Sequence, residues 1–397
     1  MNRLITGLVL VLLLPVSACA AFGQGAPSSD TPAINASLEP NQTSSNELPS
    51  GAKTRAAGEA TPKPLTVVQT PFPWVGLGVS GSIAFLAYDL NASSPVPFIV
   101  HLKLNDGHVV VDWRPPDNAW LANMALSPDG SQLVIAYAPP PADNSPQTGY
   151  TGLYLLPGSC LSQGCPDAVP QPLLAQEENG SVITPVWSPD GKYIYFAHVV
   201  TSPGEFGGQY DLQRLAASGG QPETLVEKAI WPRVSPDGST LAYVAYDPPN
   251  GVNDLYLAAP DGAQAHSLLP PGTFSSMDAP IFSPDSQKIY FSATGPGPQG
   301  SLEPQPELGW WDHLTGVVVA EANGAPSEWW RTSVSGGSPE RLTEIATAGL
   351  SGGFSPDGRW LAFVSYRGLG LYGLADGQVT WLAGLTTLGD VIWRSGD

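Results

Sequence analysis

Charged residues are scarce in this sequence, and the positively charged ones are the scarcest. Only 13% of the 397 residues are charged, which is about half the share in an ordinary globular protein. Lys and Arg number 16 against 35 Asp and Glu, for a net charge of −19. A surface of this charge repels phosphate backbones, so we expect no binding to nucleic acid.

Residue types that hold metals are few as well. The sequence has five His and three Cys, and the His residues form neither a His-x-x-x-His nor a His-Glu-x-x-His pattern. It also has no Asp-x-Asp-x-Asp calcium loop. We therefore expect no metal or other cofactor, and we favour binding over catalysis. A pair of carboxylates from separate repeats would leave no spacing signature, so a hydrolase of that type stays open as an alternative.

Long apolar runs are absent after the first few residues. The run Leu4–Pro15 follows a single charge, Arg3, and is shorter than the ~20 residues that a membrane-spanning helix needs. It leads into Val16-Ser-Ala-Cys19, which resembles the box at which bacterial lipoproteins are cleaved and lipidated. Residues 1–18 therefore read as a signal peptide, Cys19 as the lipidation site, and the mature protein as tethered to a bacterial membrane outside the cytoplasm.

The stretch 19–63 is rich in Ser, Thr, Pro and Ala and has no apolar periodicity. Such composition is typical of a flexible tether. We expect the folded body to occupy residues 64–397, with an extra strand over Pro64–Thr70 left undecided.

Two cysteines remain, Cys160 and Cys165, five positions apart. An exported chain meets an oxidising environment, so the pair is predicted to form a local disulfide. No second Cys or His pair lies near it in the sequence, which argues against a metal site. The disulfide is expected to be structural.

What the sequence has in abundance is Gly and Pro, 44 and 42 residues, and many of them stand in a repeat. Ser-Pro-Asp-Gly or Ser-Pro-Asp-Ser starts at residues 127, 188, 235, 283 and 355, each time after an apolar residue and before a β-rich run. Ser opens a turn, Pro presets φ and Gly accepts positive φ. The aspartates of these turns are therefore interpreted as structural rather than catalytic: Asp129, Asp190, Asp237, Asp285 and Asp357.

A second turn follows most copies, as in Pro260-Asp-Gly262 and Ser335-Gly-Gly337, so each repeat holds four strands. The C-terminal Val391-Ile-Trp-Arg394 resembles the start of a repeat, and the first repeat lacks that start. This pattern predicts an all-β chain: a six-bladed propeller of four-stranded antiparallel blades, closed by the C-terminal strand joining the first blade.

These repeats resemble the WD40-like repeats of TolB-type β-propellers. The resemblance rests on the Ser-Pro-Asp-Gly copies and on endings such as Ser335-Gly-Gly-Ser-Pro-Glu-Arg-Leu-Thr343, and it covers about residues 78–397. It is specific for the fold, but it does not by itself choose a function, because propellers host many functions.

Both stereotyped turns must lie on one face of the propeller, called the turn face below. The long connections share the opposite, loop face, where rigid strands would present them for recognition. The largest insertion, Thr294–Ser327, contains Trp310 and Trp311, which could contact a partner or sugar, or only cover the blade. Connections between blades are expected to add further binding candidates near the channel mouth: Trp120, Glu177, Glu178, Trp231, Arg233 and Asp278.

Arg233 could hold a carboxylate of a ligand or pair with a neighbouring acidic residue. From these features we expect a monomeric binding module whose partner is another envelope or cell-surface protein. The alternative function is binding of a glycan or small ligand at the channel mouth, and the alternative partner is a glycan or peptide. The lipid anchor is the only expected contact with the membrane.

Overall fold

The structure is a computed structural model. It describes residues 74, 76–88, 96–142, 149–201, 208–247, 252–295, 327–347, 350–365, 367–383 and 387–395. The predicted signal peptide, the tether and the Pro64–Thr70 segment lie outside these residues, as does most of the Thr294–Ser327 insertion. Among the described residues, no helix combines the length and apolar character needed to cross a membrane.

The described residues form six antiparallel sheets of four strands each, the blades of a propeller. Blade 1 is β24 (Thr387–Arg394), β1 (Ser82–Ala87), β2 (Phe98–Lys103) and β3 (Val109–Trp113). Blade 2 is β4 (Trp120–Leu126), β5 (Gln132–Ala138), β6 (Gly152–Pro157) and β7 (Gln171–Leu174). Blade 3 is β8 (Gly180–Trp187), β9 (Tyr193–Val200), β10 (Gln209–Ala216) and β11 (Glu223–Glu227).

The remaining blades follow the same order along the chain. Blade 4 is β12 (Ala229–Val234), β13 (Leu241–Asp247), β14 (Val252–Ala258) and β15 (His266–Ser267). Blade 5 is β16 (Ser276–Phe282), β17 (Lys288–Thr294), β18 (Glu328–Ser333) and β19 (Glu340–Arg341). Blade 6 is β20 (Ser351–Phe354), β21 (Trp360–Ser365), β22 (Gly368–Gly373) and β23 (Val379–Ala383).

The ring closes through its last strand. Strand β24 pairs antiparallel with β1, from Thr387 opposite Ala87 to Arg394 opposite Ser82. The inner strands β4, β8, β12, β16, β20 and β24 each contact their two neighbours around the ring, so they line the central channel. The predicted six-bladed propeller, including its split first blade, is confirmed.

The core lies between blades, because each sheet buries both of its faces. In β5, Leu133, Ile135 and Tyr137 pack in one cluster with Ile99 and Trp113 of blade 1. Val134, between them in sequence, packs instead with Ile194 and Phe196 of blade 3. This alternation follows from the period of two along a strand, and it explains why the strands are almost continuously apolar.

Three inner strands share a bulge that the sequence pattern did not predict. Thr184, Trp231 and Ala279 have φ values of 51°, 56° and 49°, and each stands directly before a proline. The register of β8, β12 and β16 shifts at these positions. Proline has no backbone N–H to donate to a neighbouring strand, so an inner strand tolerates it at a bulge, where the hydrogen-bond ladder is already interrupted.

The predicted disulfide between Cys160 and Cys165 is present. It encloses a short helix, α1 (Cys160–Gln163), at the hairpin end between β6 and β7. The Cys165 amide donates to the Asp112 carbonyl at 2.7 Å, and the Trp113 indole donates to the Ala168 carbonyl at 3.0 Å. The loop of blade 2 is thereby fastened to the outer strand of blade 1.

Candidate functional site

The carboxylate of Asp390, on the closing strand β24, links inner strands of the ring to one another. One oxygen accepts from Arg233 Nη2 at 2.9 Å, and Arg233 lies on β12 of blade 4, half a turn of the ring away. The other oxygen accepts from the Asn123 side chain and the Met124 amide of blade 2, each at 3.2 Å. Both charged side chains are largely buried, Arg233 at 14% exposure and Asp390 at 9%.

The Asp390 network also reaches a fourth blade, blade 3. The Asn123 side-chain oxygen accepts from the Thr184 amide at 3.0 Å, and Thr184 is the bulged residue of β8. Polar groups of blades 1, 2, 3 and 4 are therefore joined across the channel. A buried charge pair of this kind persists only because its remaining hydrogen-bonding atoms also find partners.

Above Arg233, a pocket of about 410 Å³ opens at the channel mouth on the turn face. Its walls come from the ends of the inner strands and the Ser-Pro-Asp turns of blades 4, 5 and 6. Its lining is mostly apolar and proline-rich: Val234, Pro236, Ile281, Phe282, Pro284, Phe354, Ser355 and Pro356, with Arg233 as its charged member. The pocket is an open depression rather than an enclosed cavity, and it combines a mostly apolar lining with one charged residue, as many binding sites do.

The turn aspartates surround this face. In blade 2, the Ser127 hydroxyl donates to Asp129 at 2.6 Å and the Ser131 amide donates at 3.0 Å. These hydrogen bonds lower the pKa of Asp129 to about 2. The same contacts lower the pKa of the corresponding carboxyls Asp190, Asp237, Asp285 and Asp357. The turn face is therefore ringed by carboxylates that stay ionised in mild acid.

The binding candidates from the sequence do not meet at one place. Arg233 lines the pocket, while Trp231 packs, partly buried, against the core cluster shared by blades 3, 4 and 5. Asp278 lies within β16 and accepts from the Ser276 hydroxyl at 3.0 Å. Trp120 begins β4, at the loop-face end of that strand. Cys19, Trp310 and Trp311 lie outside the described residues.

Sequence reasoning missed Asp390, the hub of the channel. The signal was available, because Asp390 stands five positions before Ser395 and Asp278 stands five positions before Ser283 of a Ser-Pro-Asp turn. It also missed the segment Gly349-Leu-Ser351-Gly-Gly353, which fits the Gly-x-Ser-x-Gly spacing of hydrolase nucleophiles. Ser351 starts the inner strand β20 and is buried at 3% exposure, so it is not on the exposed strand-to-helix turn which that motif requires.

A second buried ionisable pair lies away from the pocket. His101 Nδ1 and Asp112 Oδ1 are 2.7 Å apart in blade 1, and both side chains are almost completely buried. Burial raises the pKa of the Asp112 carboxyl, although its contact with His101 acts in the opposite direction. The carbonyl of Asp112 also accepts from the Cys165 amide. The pair therefore lies next to the disulfide loop, and we assign it a structural role.

No family model matches the chain. Over 198 residues it is 29% identical to the uncharacterized peptidase YuxL of Bacillus subtilis, an alignment covering 46% of this chain and 29% of YuxL. Among solved structures, TolB from Acinetobacter baumannii is 16% identical with a TM-score of 0.51, covering 78% of this chain and 65% of TolB. Hydrazine synthase from Kuenenia stuttgartiensis is 11% identical with a TM-score of 0.53, covering 78% of this chain and 46% of that one.

This chain therefore spans less than two thirds of each of these proteins, and the likeness is one of fold. Six four-stranded blades closed by a C-terminal strand give this protein the six-bladed β-propeller fold of TolB.

Proposed function

We propose that this protein is an extracytoplasmic bacterial lipoprotein whose propeller is a non-catalytic protein-interaction module. The pocket on the turn face is the observation that carries the proposal. It is apolar, it opens at the channel mouth, and its walls are rigid because they are strand ends and hydrogen-bonded turns. Rigid walls lower the entropic cost of binding. The TolB fold and the lipidation box at Cys19 are consistent with this role.

Lipid attachment at Cys19 can be tested directly. We expect the full chain, expressed in a bacterium with labelled fatty acid, to carry the label and to partition into detergent. Cys19→Ala should remove both properties while leaving the Cys160–Cys165 disulfide intact, because the two sites are separate. Label retained by Cys19→Ala would contradict the anchor.

Contact through the pocket can be tested by photo-cross-linking in intact cells. Pro284, exposed in the pocket wall, is replaced by a photoreactive phenylalanine derivative. Pro128 is the matched control, since it holds the same place in the exposed Ser-Pro-Asp turn of blade 2 but lies outside the pocket lining. We expect a discrete protein adduct at 284 and none at 128. Equal adducts at both positions, or none at either, would contradict contact through the pocket.

A further inference from the structure

We propose that the pocket recognises the C-terminal residue of a partner polypeptide: a bulky apolar side chain against its walls and the terminal carboxylate on Arg233. This inference rests on the proposed function, because it names the part of the partner that enters the site. The apolar walls, the guanidinium at the base and the charge around the rim each contribute to it.

The walls suit a single large apolar side chain. Ile281 and Phe354, both partly buried, supply apolar surface, and the exposed Pro236, Pro284 and Pro356 supply rigid edges from three adjacent blades. The three prolines hold the same turn position in their repeats, so the walls have little freedom to collapse inward. Burying an apolar side chain there removes surface from water without ordering any new segment of the propeller.

The base of the pocket offers unused hydrogen-bond donors. A guanidinium carries five N–H groups, and those of Arg233 make two hydrogen bonds, to Asp390 at 2.9 Å and to the Pro232 carbonyl at 3.4 Å. The side chain of Arg233 keeps 14% of its surface exposed, and Arg233 lines the pocket. A carboxylate is the group that such a fork binds best.

The negative charge of the pocket rim favours a peptide over a free carboxylic acid as the ligand. Asp237 and Asp285 flank the pocket on its Ser-Pro-Asp turns, and hydrogen bonding lowers the pKa of both. The charge of Lys288 contributes to the lowered pKa of Asp285, but the rim carries two exposed carboxylates, which repel a small free anion. A polypeptide that carries basic residues behind its C-terminal carboxylate complements both the base and the rim.

The test uses the full-length chain and a fluorescein-labelled peptide, Lys-Lys-Gly-Ser-Phe, in two forms: a free C-terminal carboxylate and a C-terminal amide. Binding is followed by fluorescence anisotropy. We expect the free acid to bind roughly tenfold more tightly or better than the amide, the range of a charge-assisted hydrogen bond. Equal affinity of the two forms, or no saturable binding of the acid, would overturn the proposal.

Two variants and one competitor locate the effect. Arg233→Lys keeps a cation for Asp390 but loses the planar fork, so it should weaken the acid about tenfold and the amide little. Arg359→Lys is the control on the same face, because Arg359 pairs with Asp357 and does not line the pocket. An unchanged preference for the acid in Arg233→Lys would overturn the assignment to Arg233. If N-acetylphenylalanine competes as well as the peptide does, then the pocket binds a free carboxylic acid, and the proposal that its carboxylate comes from a polypeptide is wrong.

The outcomes separate this inference from the proposed function. If position 284 gives an adduct but the peptide acid binds no better than the amide, then the interaction module is supported and recognition of a C-terminal carboxylate is contradicted. Acid-selective peptide binding that Arg233→Lys abolishes supports both.

Discussion

At the scale of single residues, the Ser-Pro-Asp turns depend on one buried hydroxyl. Ser355 donates to Asp357 at 2.7 Å and accepts from the Trp360 amide at 3.0 Å, and its side chain is buried. Ser355→Ala removes both bonds, so we expect a loss of about 1–2 kcal/mol in the free energy of unfolding at pH 7. Urea denaturation measures it.

The same variant has a pH dependence of known sign. The contacts with Ser355 and Arg359 lower the pKa of Asp357 to about 2, below the ~3.9 of an unfolded aspartate. The ionised turn therefore stabilises the fold above pH ~4 and loses this contribution as the pH falls towards 2. The gap between wild type and Ser355→Ala should narrow over this range. Ser162→Ala, which loses only one exposed bond, should stay within about 0.5 kcal/mol at both pH values.

Residue roles were predictable where local chemistry decides them. The Ser, Pro and Gly residues around the turn aspartates account for their presence without a catalytic role. In the structure, each of these carboxylates accepts a hydrogen bond from the Ser hydroxyl of its own turn. Arg233 stands out in the sequence because basic residues are rare. Its partner Asp390 is 157 positions away, and no local pattern joins two strands that meet only when the ring closes.

At the scale of elements, the disulfide loop is predicted to stabilise the contact between blades 1 and 2 and to open without unfolding the other blades. The disulfide closes a loop of sequence separation 5, for which loop entropy gives about 2 kcal/mol. Cys160→Ala with Cys165→Ala should therefore cost about 2 kcal/mol in urea denaturation. Because Cys165 donates to Asp112, its amide should also exchange hydrogen faster.

Reduction of the wild-type disulfide is the control for that variant pair. Reduced wild type should match the double variant in both stability and Cys165 exchange. If reduction speeds exchange equally in distant blade 5, the loop does not open on its own.

The order of strands was predictable, but their irregularities were only partly so. Repeated turns at fixed spacing determined the four-stranded blades, and a repeat start at the C-terminus determined the closing strand. The bulges at Thr184, Trp231 and Ala279 need a positive φ before proline, which local preferences oppose. Ser286 also takes a positive φ, 59°, where the other turns have Gly, and its hydroxyl accepts from the Asp237 amide of blade 4. A contact between blades offsets a local cost there.

At the scale of the whole molecule, the sequence favours the loop face for recognition because it carries the long connections, and this stays a prediction because much of that face lies outside the described residues. Among the described residues, a pocket opens on the turn face. A face of uniform short turns looks featureless in the sequence, yet the ends of three neighbouring inner strands create a concave site that no single repeat encodes.

The ring as a whole is predicted to depend on Asp390. Strand β24 closes the propeller by pairing with β1 through hydrogen bonds alone. Its residue Asp390 also binds Arg233 and Asn123 of other blades. Removing one partner of a buried charge pair leaves the other charge unpaired, which costs about 3–5 kcal/mol. Asp390→Ala should lower the free energy of unfolding by this amount, and β24 and β1 should gain the largest increase in hydrogen exchange.

Two comparisons decide whether the charge pair is the cause. Arg233→Met combined with Asp390→Leu removes both charges, so the double variant should lose less stability than the two single variants added together. Glu340→Ala breaks the exposed pair with Arg331 and should cost about 1 kcal/mol or less. If Asp390→Ala costs no more than Glu340→Ala, then closure rests on the β1–β24 ladder alone. In that case the channel network serves only to hold Arg233 at the base of the pocket.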